Sequence, residues 1–269
     1  MQAPDADLAL IVPVIAEAGA IARRYFGGTF KRWDKGKGQP VTEADIAVDR
    51  FLRETLRAAR PDYGWLSEET EDDLARLDTQ TLFVVDPIDG TIAFMKGRPH
   101  FTISIAVVTD EVPVVGAILN PITGECFTAI AGCGAQLNGR AIGTSAATEV
   151  EGCHMLADKT MFAHPGWNTP PLRPWPTMEI ENRNSVAYRM ALVAGGGFDA
   201  MLALSAKRDW DIAAGDLILR EAGGKVTGHE GTPLRYNSPA AIQPTVLGAG
   251  AALHPQLLAR IKPIRLPAH

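Results

Sequence analysis

The chain has 269 residues, 46% of them hydrophobic and 21% charged, and a formal net charge of −5. That length holds one large domain or two smaller ones, and the acidic balance argues against nucleic acid as the main partner without excluding a local basic pocket. The three cysteines, Cys126, Cys133 and Cys153, lack the spacing of a disulfide framework or a zinc site and read as small hydrophobes in a reducing compartment. The N-terminus is acidic where a secretory signal is basic, and no apolar run reaches the roughly 18 residues of a membrane span. A cytoplasmic protein without a membrane partner is expected.

Residues 6–26 carry apolar side chains at helical spacing, with Pro13 either kinking the helix or marking a late start. "TFKRWDKGKGQP" reads as a polar loop carrying Lys35 and Lys37. A second helix follows, with Thr42 as N-cap, Asp45 at the third helical position of a capping box, and Pro61 closing it. "YGWLSEET" is a short strand ending in acid, "EDDLARLDTQ" a loop, and "TLFVVDP" a buried strand. Residues 101–139 hold three strand-like runs, with turns at Asp110–Pro113 and Asn120–Gly124. The text then becomes small and polar, and a boundary is placed there. It divides an N-terminal half, 1–145, from a C-terminal half, 146–269, within one continuous unit. The second half reads as a strand ("CHMLAD"), a Pro-rich loop ("HPGWNTPPLRPWPT") and two helix–strand pairs, the helices ending near Gly195–Gly197 and at Gly223–Gly224. "HPQLLARI" is the last helix. Helices outside and strands inside predict a layered α+β or α/β protein.

The stretch "VVDPIDGTIAF" (84–94) runs a hydrophobic strand straight into two carboxylates. Pro87 has no N–H and is expected to end the ladder, while Gly90 permits a turn and a close backbone approach to a ligand. Asp86 and Asp89 are thereby fixed at a strand end, where each raises the other's pKa unless a cation sits between them. Acid also marks three other element ends, at Asp45, Glu68–Glu69 and Asp209 with Asp211. Singly, these could be caps or solvated ends. Together they form an oxygen-rich set of the kind Mg2+ prefers.

"PVTEAD", "WLSEET", "VVDPIDGTIAF" and "WDIAAGDLILREAGG", in that order, resemble the inositol monophosphatase superfamily of Mg2+-dependent, lithium-sensitive phosphatases. The resemblance runs from about Ile15 to Val246. It implies a layered αβαβα sandwich with the site between its halves, and a homodimer. It also implies two to three Mg2+ ions: Glu68, Asp86 and the Ile88 carbonyl for the first, Asp86, Asp89 and Asp211 for the second, Glu68 and, through water, Asp45 for a weaker third. Thr91, with Asp45, would orient and deprotonate an attacking water. The N–H groups of Gly90 and Thr91 would hold phosphate oxygens. The implied reaction is in-line hydrolysis of a phosphomonoester without a covalent intermediate.

The substrate is less legible. In inositol-specific members a glutamate seven residues before the "WD" aspartate binds a sugar hydroxyl; here that position is Leu204. Arg189 takes the place of a lysine of the 3'(2'),5'-bisphosphate nucleotidase branch, and Lys207 and Arg208 precede the site. Extra cations suit a second anionic group, although Arg189 could equally cover a helix surface. The candidates are inositol-1-phosphate-type esters, 3'(2'),5'-adenosine bisphosphate and histidinol phosphate. A rival reading is a dual-role regulator, since some relatives bind the transcription machinery. His100 reads as structural. Gly195–Gly197 follows a helix and so is not a nucleotide loop.

Overall fold

The computed structural model describes residues 4–36, 40–163 and 174–264. Its centre is a seven-stranded sheet, β3-β4-β5-β6-β7-β8-β9, built from Gly64–Ser67, Thr81–Asp89, Thr102–Thr109, Val112–Asn120, Glu125–Ile130, Ala135–Leu137 and Arg140–Ala141. The first pair is parallel and the rest antiparallel. Alternate side chains of β4 feed two different cores, which explains its unbroken apolar run. Phe83 and Val85 pack with α1 (Pro4–Tyr25) and α2 (Glu43–Ala59). Leu82 and Val84 pack on the other side with α5 (Val186–Ala194) and α6 (Asp209–Glu221).

The far side of α5 and α6 meets a five-stranded sheet ordered β11-β10-β12-β16-β14. Its strands are Glu179–Glu181, His154–Leu156, Ala200–Ala203, Val246–Gly250 and Gly224–Thr227. Met201 and Val246 from this sheet share one apolar cluster with Val84 and Ile118 from the first. The sheet's outer face, with Leu202 and Leu247, is covered by α7 (His254–Ile261) and the short α4 (Lys159–Ala163). The layers therefore run helix, sheet, helix, sheet, helix. The middle layer is tight: a methyl on Gly215 of α6 would stand 2.7 Å from Met190 Cβ of α5.

Several local expectations change. Pro13 lies inside α1, which runs through it. The expected polar loop contains a hairpin, β1 (Arg32–Asp34) against β2 (Pro40–Thr42), and Lys37 lies outside the described residues. Residues 101–139 hold four strands, not three, and a fifth, Arg140–Ala141, follows them. Most of the Pro-rich loop, 164–173, also lies outside the described residues. The remaining short elements are a 3-10 turn at Ala75–Asp78, α3 (Thr91–Met95), and the pair β13 (Lys207–Arg208) with β15 (Ile242–Gln243).

Pro87 does not end β4. The ladder pairs Asp86 with Ser104 and Asp89 with Thr102, so three steps on β4 oppose two on β5. The extra residue is a bulge, a place in a sheet where a missing N–H costs little. It also has a consequence for the acids. Two strand residues three apart face opposite sides, but the inserted residue brings Asp86 and Asp89 back to the same side.

Candidate active site

Asp86, Asp89 and Asp211 each offer a carboxylate oxygen, and these oxygens lie within 4.8 Å of one another. They line a cavity of about 680 Å3 together with Glu68 and Thr91. Four element ends deliver these groups: the β4 bulge, the end of β3, α3 and the start of α6.

Helix starts hold the acids in place. Asp45 sits at the third position of α2, and its Oδ2 accepts from the Thr42 backbone N–H at 2.8 Å and the Thr42 hydroxyl at 2.5 Å. Its Oδ1 is left for the Thr91 hydroxyl, at 3.1 Å. Asp211 repeats the device in α6: its Oδ2 accepts from the Arg208 N–H at 2.9 Å, so Asp211 lies inside the helix rather than capping it. Asp89 reaches across to α5, where its Oδ2 accepts from the Ser185 hydroxyl at 2.7 Å and the Ala187 N–H at 2.6 Å. Three carboxylates thus meet the positive ends of three helices, which offsets part of their repulsion. Asp86 makes only a local turn, accepting from the Ile88 N–H at 3.0 Å.

The offset is incomplete. Burial, then Glu68 and Asp89, push Asp86 well above the usual carboxylate range. Burial and the Asp211 charge push Asp89 up to about 7. Burial raises Asp45 despite the Thr42 hydrogen bonds, and raises Glu68 against the pull of Lys35. Lys35 stands 3.9 Å from the Glu68 carboxylate but 2.6 Å from that of Glu69, and donates to the Glu68 carbonyl at 3.3 Å.

Thr91 Oγ1 also lies 3.2 Å from the Ile88 carbonyl, whose residue is fully buried. Gly90, at φ +101°, makes the turn into α3; a methyl there would meet the His100 carbonyl at 2.9 Å and the Ser185 nitrogen at 3.1 Å. No intrahelical carbonyl reaches the first N–H groups of α3. Arg189 and Lys207 line the cavity, as does Leu204, 4% exposed. Arg189 donates Nε to the Arg183 carbonyl and one Nη to Asn182. Lys207 is held by Ser205 and the Ala206 carbonyl. Asp209 stands apart from the acid group: its carboxylate takes the Asn237 N–H and the Gln243 amide. Ser185 escaped the sequence reading, although a serine opening an apolar helix is itself a capping signal.

The inositol monophosphatase family model matches residues 5–264. The chain belongs to the inositol monophosphatase family. An inositol-1-monophosphatase of Rhizobium meliloti is 35% identical over 243 residues, 83% of this chain and 86% of the relative. The Nus factor SuhB of Escherichia coli K12 is 34% identical over 202 residues, 73% of this chain and 74% of the relative. The crystal structure of the extragenic suppressor protein suhB from Bartonella henselae superposes with a TM-score of 0.80 at 30% identity, covering 96% of this chain and 99% of that one. As a member of the inositol monophosphatase family, the chain is a metal-dependent phosphoric monoester hydrolase.

Proposed function

We propose that the protein uses Mg2+ to hydrolyse a small phosphorylated metabolite. One observation carries this reading: Asp86, Asp89 and Asp211 converge within 4.8 Å in a cavity of about 680 Å3, large enough for such an ester. The donors are all oxygen, and their charge exceeds what Lys35, Arg189 and Lys207 offset, so the set fits a hard divalent cation. Asp86, Asp89 and Asp211, with Glu68, the Ile88 carbonyl and more remotely Asp45, would hold two to three ions. Bound there, Mg2+ neutralises phosphate charge and acidifies water.

The rest falls to the chain. Thr91 Oγ1 points its hydrogen at Asp45 and so turns lone pairs toward an incoming water. As that water attacks phosphorus, its proton passes to Thr91 and the Thr91 proton to Asp45, which burial has made a better acceptor. The N–H groups of Gly90 and Thr91 hold the phosphate oxygens. The new P–O bond forms as the ester oxygen leaves on the opposite side and takes a proton from solvent to become the alcohol.

The substrate in this reading carries a second anionic group, as a 3'(2'),5'-bisphosphorylated nucleoside does. Leu204 offers no acceptor for a sugar hydroxyl, and Arg189 Nη1 has no hydrogen-bond partner among the described residues. Lys207 adds charge, although its donors are taken locally. A phosphate-release panel at matched free Mg2+ tests this against inositol-1-phosphate and histidinol phosphate. The bisphosphate is expected to lead; no turnover of any phosphomonoester would overturn the reading.

The relatives named Nus factor SuhB support a second reading, a transcription-related binding role beside the activity. Binding to transcription complexes that survives Asp86→Asn would separate the two roles. The proposed setting is a cytoplasmic homodimer, checked by sedimentation.

A further inference from the structure

A second hollow lies beside α2, outside the catalytic cavity. Its volume is about 580 Å3, and its walls include Arg50, Arg53, Glu54 and Arg57, with Asp49 and Glu69. The buried side of α2 is Ala44, Val48, Leu52 and Leu56, four apart, so positions 50, 53 and 57 form one stripe on the solvent side. None of the three arginines makes a hydrogen bond, ion pair or ring contact among the described residues. Like charges three and four positions apart on a helix repel, and Glu54, one turn from Arg50 and Arg57, makes no ion pair with them among the described residues.

The wall below them is an acceptor. The Glu69 side chain is 2% exposed; its Oε1 is held by Lys35 at 2.6 Å, and its Oε2 is buried with no hydrogen-bond partner. Buried polar atoms are rarely left so. Asp49 differs, since the hydroxyls of Ser67 and Thr70 satisfy it at 2.5 and 2.9 Å. The hollow thus offers three unpaired guanidinium groups and one orphaned carboxylate oxygen. The guanidinium fork matches phosphate geometry. The orphan needs a donor that is not a cation competing with the arginines, and a hydroxyl meets that need.

We infer that this hollow is a second binding site, separate from the catalytic cavity, for a small phosphorylated molecule bearing a hydroxyl group. The phosphate rests on Arg50, Arg53 and Arg57, and the hydroxyl donates to Glu69 Oε2. Glu69 shares Lys35 with the Glu68 carbonyl, so the occupant sits one side chain away from the catalytic wall.

The test uses 2-hydroxyethylphosphonate, whose C–P bond a phosphomonoesterase does not cleave, titrated calorimetrically into the Mg2+-loaded protein. The wild type is expected to show a binding event that weakens at least about tenfold in Arg53→Met/Arg57→Met, the scale of one lost charge-assisted contact, while kcat/KM for ester hydrolysis is unchanged. Ethylphosphonate, which lacks the hydroxyl, is expected to bind the wild type at least about fivefold more weakly, and Glu69→Met, which keeps the side-chain length but has no oxygen acceptor, to erase that preference. Unaltered binding in the double variant overturns the site, as does binding lost only in Asp86→Asn. Equal affinity for the two phosphonates overturns the role of Glu69. Arginine-dependent binding of RNA without phosphonate binding overturns the ligand class.

Discussion

Asp86→Asn is expected to make the metal-free protein more stable while abolishing turnover. Asp86 lies within 4.8 Å, oxygen to oxygen, of both Asp89 and Asp211. At an effective dielectric constant of about 20, one such pair of charges repels by roughly 3 kcal/mol. Proton uptake by the cluster limits the total, so the gain is about 2–4 kcal/mol, or roughly 5–10 °C in Tm for a chain of this size. The local bond from the Ile88 N–H survives, because an amide oxygen accepts it equally. The effect has a pH signature. The folded pKa values of these acids lie above their unfolded values, Asp89 at about 7. The folded state therefore binds more protons, and stability is lost as pH rises from about 4 through that value. The gap between variant and wild type is small at pH 4–5 and full by about pH 8. One Mg2+ at a hundred times Kd adds about 2.7 kcal/mol to a protein that binds it, which cancels most of the gap, and a second ion held equally well reverses the comparison with a variant that binds neither. Thermal denaturation in EDTA and in Mg2+, across pH, reads all of this. A metal-free variant less stable than metal-free wild type at pH 8 would refute the reasoning.

Thr91→Ala should lower kcat by roughly 10²–10⁴-fold with little change in KM; a loss confined to KM would make Thr91 a binding residue. Arg189→Met should narrow the preference for a bisphosphate over inositol-1-phosphate by about tenfold or more, whereas an equal loss on both substrates would make Arg189 scaffold for residues 182–183. Gly90→Ala combines a strained positive φ with a clash against His100 and Ser185, for about 2–4 kcal/mol; calorimetry showing an unchanged Tm would contradict the turn geometry. Burial and the Lys225 charge lower His254 to about 4, so the unfolded chain takes up a proton first as pH falls below about 6.5. That should cost about 2 kcal/mol at pH 5 relative to pH 7, and denaturant titrations of His254→Gln should show a flatter pH profile.

Much of the site was legible because its residues announce themselves locally. The Thr42–Asp45 capping box and the "DPIDGT" run need no distant partner to be read, and α7 spans the very residues its periodicity predicts. What stayed hidden depends on contacts far apart in sequence. Asp209 looks like a partner of Asp211 until Asn237 and Gln243 are seen holding it. The reach of Asp89 to Ser185 crosses 96 residues. The rule that proline ends a strand failed at Pro87 because the bulge removes the need for its N–H. The cations near the mouth looked free in the sequence, yet Lys207 spends its donors on its own neighbours.

The double duty of the acids bears on how such a protein would decay. Asp45, Asp89 and Asp211 each accept a hydrogen bond at the start of a helix, and Asp89 and Asp211 also line the cavity, so selection for folding alone would preserve them in a lineage that had abandoned hydrolysis. Their survival in a descendant is weak testimony to catalysis. Asp86 has no such second employer; its one bond, to the nitrogen two residues on, can be made by asparagine or serine. Because its charge also works against the empty fold, drift would erase it first. On the proposed reading of the site, position 86 is therefore where a relative's sequence separates a working phosphatase from one kept for another purpose.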